Sequence, residues 1–139
     1  MSVITRKYDV CADDFSRAGE ASGDIKRTLK ELGFNQDLVR RVAIATYEAE
    51  INMVIHANGG VITAEISPER VVIEFVDRGP GIPDIALAMQ EGWSTASEYV
   101  LGLGFGAGMG LPNIKKNADE FDLSSDHGVG TTLKITVNA

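Results

Sequence analysis

The chain has 139 residues, 44% of them hydrophobic, enough for one domain around one core and too few for a multidomain machine. Thirteen Lys and Arg against 20 Asp and Glu give a net charge of −7, which argues against a protein that grips nucleic acid by neutralising phosphates. A single cysteine, Cys11, allows no internal disulfide, and the charged Met1–Val10 stretch is unlike a signal peptide. The longest uncharged run, 99–114, is 16 residues with five glycines, too short and too glycine-rich to cross a membrane. A cytoplasmic protein with neither nucleic-acid nor membrane partners is expected. Eight of the 15 glycines fall between Gly79 and Gly110, in the more acidic half of the chain. Such a concentration marks backbone that turns sharply or approaches something closely.

In chain order, residues 3–10 alternate β-branched and charged residues, which predicts a strand exposed on one face. From about Asp14, Phe15, Ala18, Ala21, Ile25, Leu29 and Leu32 recur every three or four residues, a first helix with Gly33 as its left-handed stop. Asn35 or Asp37 caps a second helix whose buried stripe is Leu38, Val42, Ala45, Ala49 and Met53, ended by Gly59-Gly60. Val61–Ser67 and Val71–Asp77 read as an antiparallel hairpin. DRGPGIPD is then turn chemistry, residues 85–89 a short helix, and the glycine-rich stretch a loop. Leu111–Glu120 predicts a last helix, and Phe121–Ser125 with Thr131–Val137 a closing hairpin around DHGVG. This order predicts a single α+β domain over 1–139: a two-layer α/β sandwich, with helices on one face of a mixed, mostly antiparallel sheet.

Three places carry chemistry. Glu48, Asn52 and His56 lie at i, i+4 and i+8 on the second helix, so they share a face. An acid and an amide so placed can hold hydrated Mg2+ and polarise a hydroxyl, although a solvated polar stripe has the same spacing. His56 by itself fits a helix-end histidine favoured by the local dipole. Asp77 ends an apolar strand immediately before Arg78-Gly79-Pro80-Gly81. A carboxylate there can accept from an exocyclic amine while glycines admit a flat ring, and a plain turn with an Asx cap is the alternative. The run GFGAGMG, 104–110, offers backbone amides and a helix N-terminus to an anion. No G-x-x-x-x-G-K-[ST] motif, Rossmann-type glycine turn or zinc-spaced Cys/His cluster occurs.

In sequence, Glu48-x-x-x-Asn52, Asp77-x-Gly79-x-Gly81, Gly106-x-Gly108-x-Gly110-Leu111 and Gly128-x-Gly130-Thr131 resemble the ordered boxes of the GHKL ATPase superfamily, the Bergerat fold. DRGPGIPD, MQEGWSTA and GAGMGLPNIKKNADEF narrow the resemblance to the anti-sigma-factor serine/threonine kinases and the related switch kinases of bacterial stress modules. The resemblance implies that Glu48 is the general base and that Asn52 binds the Mg2+ bridging the phosphates of ATP. Asp77 would read the adenine amino group, supported by Thr131 through its hydroxyl or a water, with Gly79 and Gly81 admitting the ring. Gly106, Gly108, Gly110 and Leu111 would form the phosphate side of a lid spanning about 82–106. ATP and Mg2+ are the implied cofactors. A small antagonist (anti-anti-sigma) protein is the implied substrate, with a sigma factor or an activatable regulatory enzyme as an alternative partner and a homodimer left open. The competing reading is a nucleotide-gated binding module with little or no kinase turnover.

Overall fold

The computed structural model describes residues 3–11, 17–56, 59–77, 110–126 and 130–139. Its elements are β1 (Ile4–Val10), α1 (Glu20–Glu31), α2 (Gln36–His56), β2 (Gly60–Ile66), β3 (Arg70–Asp77), α3 (Gly110–Asn117), β4 (Glu120–Asp126) and β5 (Gly130–Asn138). The expected helix at 85–89 and the lid at 82–106 lie outside the described residues.

The strands form one five-stranded sheet in the order β1-β2-β3-β5-β4. All four pairings are antiparallel, so among the described residues the sheet is purely antiparallel where the sequence suggested a mixed one. The period-2 alternation reads directly onto its two faces. Ile62, Phe75 and Leu133 stand in one cross-strand row, Ala64, Ile73 and Ile135 in the next, and Ile66, Val71 and Val137 in a third. All nine are buried. The opposite face carries rows such as Lys7, Thr63, Glu74, Lys134 and Asp122. One face is therefore apolar and covered, and the other polar.

The helices supply the cover. Asn35 is the cap of α2, its Oδ1 accepting the Leu38 N–H at 2.8 Å, while Asp37 sits in the first turn. The expected stripe of Leu38, Val42, Ala45, Ala49 and Met53 is buried, and so are Val39, Thr46, Glu50, Ile51 and Val54. The arc is wide because α2 packs against α1 on one flank and α3 on the other, as well as against β3 and β5. Ile25 and Leu29 of α1 and Ile114 of α3 are fully buried, each such side chain contributing roughly 1.5–3 kcal/mol through removal from water.

Helix α1 ends as expected. Gly33 adopts φ 84°, its N–H donates to the Lys30 carbonyl, and the Phe34 N–H reaches back to Leu29. This is a Schellman stop, and Phe34 packs against the core. Its start differs from the expectation. Asp14 and Phe15 lie outside the described residues, Ala18 is in a turn, and the helix begins at Glu20 after Gly19 at φ 96°. The reason is tertiary: the carboxylate of Glu50 on α2 accepts the N–H groups of Gly19, Ala21 and Ser22 at 3.1, 3.2 and 3.0 Å. The first-turn donors are thus satisfied from another helix. Tyr47, one turn before Glu50, lies over Gly19, where an added Cβ would sit 3.3 Å from its ring.

Two further links fix the layers. Tyr8 of β1 donates its hydroxyl to Asp24 of α1, which also pairs with Arg27 at 2.8 Å. Arg41 of α2 pairs with Asp119 at 3.0 Å, and the other Asp119 oxygen accepts the Asn138 N–H at 2.7 Å. No described helix is long and apolar enough to cross a membrane.

Candidate active site

Strand β3 ends at Asp77, opposite Gly60 of β2 and beside the start of β5. The Thr131 backbone N–H donates to Asp77 Oδ1 at 3.0 Å. The resemblance implied a contact between Thr131 and Asp77, and the backbone amide makes one. Glycine is required on both sides of the aspartate. A Cβ on Gly130 would stand 2.4 Å from the Asp77 carbonyl oxygen. On Gly60 it would meet the Val76 carbonyl oxygen at 2.1 Å, and both Asp77 Cα and Met53 Cε at 2.7 Å. Three strands and α2 thus converge at the end of β3, and the residue before Met53 is Asn52.

Helix α2 carries two acids two residues apart, and the fold gives them different surroundings. Glu50 is 3% exposed and committed to three backbone donors of α1. Glu48 is only partly buried, and the side-chain amide of Asn113 on α3 favours its charged form. Burial raises the Glu48 carboxyl above the ordinary glutamate value, with the Asn113 amide working in the opposite direction. A carboxylate whose proton affinity is raised, on a partly open helix face, has the character of a base. Asn52 follows one turn later, also partly exposed, and its amide oxygen is a hard donor suited to Mg2+.

Among the described residues, no three His, Cys, Asp or Glu are grouped to hold a metal. An ion at Asn52 would therefore take further oxygens from ligand phosphates and water, the usual coordination of Mg2+ in phosphoryl-transfer sites. Gly110 opens α3, with Leu111 next to it, and Gly79, Gly81, Gly106 and Gly108 lie outside the described residues. A polar cavity of about 360 Å³ beside β1 and α1, lined by Lys7, Arg17 and Glu50 among others, includes none of these site residues.

Asn113 and Gly60 escaped the sequence reading. Gly60 looked like the stop of α2, and its position opposite an acid at a strand end becomes a signal only once the hairpin register is known. Asn113 stands in GLPN at the start of a helix after a glycine run. That context was visible, but its partner is distant in the chain.

A family model described as a histidine kinase-like ATPase domain matches residues 12–137. Over 113 residues the chain is 36% identical to the serine/threonine-protein kinase RsbT of Bacillus subtilis (strain 168), spanning 78% of this chain and 79% of that protein. It is also 36% identical over 100 residues to the anti-sigma F factor of Thermoanaerobacter sp. (strain X514), spanning 68% and 66%. Among solved structures, the RsbU and RsbW domains of a Mycobacterium tuberculosis protein align with 99% of this chain and 32% of that one. The TM-score there is 0.62 at 18% identity, a likeness of fold. With a family match across nearly its whole length, the chain belongs to the histidine kinase-like ATPase domain family, an assignment that brings ATP binding with it.

Proposed function

We infer that this chain is an ATP- and Mg2+-dependent serine/threonine protein kinase of a bacterial partner-switching module, phosphorylating a small antagonist protein of the anti-anti-sigma type and binding alternative partners. The observation that carries the reading is the division between the two glutamates of α2. Glu50 is fixed in a structural cap, whereas Glu48 is partly open, raised in proton affinity and one turn from Asn52. The similarity to RsbT, named as a serine/threonine kinase, supports the same chemistry.

In this reading Asp77 accepts the exocyclic amine of adenine, and the glycines at 60 and 130 keep Cβ atoms away from that end of β3. Asn52 would hold the Mg2+, which offsets phosphate charge in a site whose half of the chain is itself acidic. The amides of Gly106 and Gly108, together with that of Gly110 at the start of α3, would face the phosphates. Bound ATP supplies the phosphoryl group. Glu48 orients the acceptor Ser or Thr hydroxyl and takes its proton as the hydroxyl oxygen bonds to the γ-phosphorus. The bond from that phosphorus to the β–γ bridging oxygen breaks, and its electron pair leaves with ADP. Positioning and charge neutralisation are the protein's main tasks in such a step, so a domain of this size suffices. The test is phosphate transfer from labelled ATP, with Mg2+, to a purified antagonist-domain protein encoded beside this one. Wild type should transfer it to Ser or Thr, and Glu48→Gln should not.

The anti-sigma relative favours a second role, nucleotide-dependent capture of a sigma factor or another regulatory protein. A pull-down of that partner with the same yield in ATP, ADP or no nucleotide would dismiss nucleotide gating.

A further inference from the structure

Helix α1 is capped by Glu50, packed on α2 and tied to β1, and none of these links uses its outward face. Gly23, Lys26, Arg27 and Lys30 stand there at i, i+3, i+4 and i+7, so they form one stripe, and all four are exposed. The buried residues of the helix, Ile25 and Leu29 among them, take the opposite side. Arg27 pairs with Asp24 at 2.8 Å, whereas Lys26 and Lys30 make no ion pair among the described residues. Three cations on one stripe run against a chain whose net charge is −7.

Gly23 is the odd member of the stripe. It lies inside the helix, its N–H bonded to the Gly19 carbonyl at 2.9 Å, where glycine is less stable than alanine because it gives up more backbone freedom. Its φ is not positive, so the backbone does not require glycine, and an added Cβ would meet nothing within 4 Å. Neither conformation nor packing within the described chain accounts for it. One turn earlier, the space over Gly19 is taken by the ring of Tyr47, which is itself 40% exposed. The stripe thus runs from a half-exposed aromatic, past an open notch, to three cations.

We propose that this face of α1 is a docking surface for an acidic segment of a partner protein, which approaches closely at Gly23 and sets its carboxylates against Lys26, Arg27 and Lys30. Charge complementarity selects an acidic occupant. The missing Cβ permits close approach, and the Tyr47 ring supplies the kind of amphipathic contact on which binding energy concentrates. A second copy of the chain is a poorer occupant, because this stripe packed on itself opposes three cations with three. The choice of partner, the antagonist-domain protein, rests on the partner-switching reading above. The surface lies on α1, and Glu48 and Asn52 lie on α2, so docking and chemistry are separable by mutation.

The test is calorimetric titration of the full chain with the purified antagonist-domain protein encoded beside it, at about 50 and 300 mM salt. Wild type should bind at least about fivefold more weakly at the higher salt. At the lower salt, Lys26→Glu/Lys30→Glu should weaken binding at least about tenfold, while Arg70→Glu/Lys134→Glu, the same charge change placed on the sheet, should stay within about twofold. Gly23→Ala should raise the denaturation midpoint and yet weaken binding by about threefold, and Gly23→Leu should weaken it further. A variant that is more stable but binds worse cannot owe its loss to misfolding. The proposal is overturned if Lys26→Glu/Lys30→Glu or Gly23→Ala binds as tightly as wild type, or if the sheet variant loses as much as the α1 variant. It is also overturned if light scattering shows a wild-type dimer that Gly23→Leu converts to monomer, since the surface then belongs to a second copy. A wild type that does not bind the antagonist-domain protein defeats the partner-switching reading and this surface with it, whereas binding that every variant retains defeats the surface alone.

Discussion

The Thr131 backbone N–H donates to Asp77 Oδ1 across 3.0 Å, joining the end of β3 to the start of β5. Glycines flank that aspartate on both neighbouring strands. Both Gly60→Ala and Gly130→Ala drive a Cβ into main-chain atoms, which cannot swing aside as a flexible side chain would. Each should lower unfolding free energy by about 1–3 kcal/mol and weaken ATP binding together with it. Denaturant melts and nucleotide titrations check both effects, and Gly60→Ala should be the worse because its Cβ meets two main-chain atoms, at 2.1 and 2.7 Å, where that of Gly130→Ala meets one at 2.4 Å.

The two glutamates of α2 predict opposite phenotypes. Glu50→Ala strips the acceptor from three amides at the buried start of α1 and should cost about 3 kcal/mol or more. Glu48→Gln should leave stability unchanged or raise it. The folded carboxyl has a raised pKa, so its stabilising contribution belongs to the protonated form and is lost as pH rises through that value. At neutral pH an uncharged isostere removes the penalty. Thermal melts at pH 7.5 or so distinguish the pair.

Asp24 and Asp119 set the acid limb of stability. Asp24 is held below the ordinary carboxylate range by the Tyr8 hydroxyl and then by Arg27, and Asp119 by the Asn138 N–H and then by Arg41. A depressed folded pKa contributes stability that is present above the unfolded value, 3.8, and is lost as pH falls through the folded one. Melting temperature should therefore drop steeply below about pH 4. The drop should be shallower in Asp119→Asn.

Thr46 is fully buried on α2, and its hydroxyl has no hydrogen-bond partner among the described residues. Thr46→Val keeps the shape and removes the desolvated oxygen, so it should stabilise the fold by about 1 kcal/mol. A lower denaturation midpoint would show that the hydroxyl is satisfied in solution.

Much of the frame was legible because its signals are local. Asn35 three residues before Leu38, Gly33 after Leu32, and the alternation in β2, β3 and β5 each act within a few positions. Glu48 and Asn52 were legible for the same reason, since one helical turn relates them. What escaped depends on partners far along the chain. The start of α1 is set by Glu50, 28 to 31 residues away. Asn113 gains its meaning only when α3 packs on α2, and Gly60 only when β2 and β3 fall into register. From sequence alone, Glu50 was merely another acid beside Glu48.

The most direct test of the central claim is single-turnover phosphate transfer from ATP-Mg2+ to the antagonist-domain protein, measured side by side for wild type and Glu48→Gln. Wild type should phosphorylate Ser or Thr, and the variant, folded and binding ATP, should transfer at least about 100-fold more slowly. Equal rates in the two proteins, or no transfer by wild type, would contradict it.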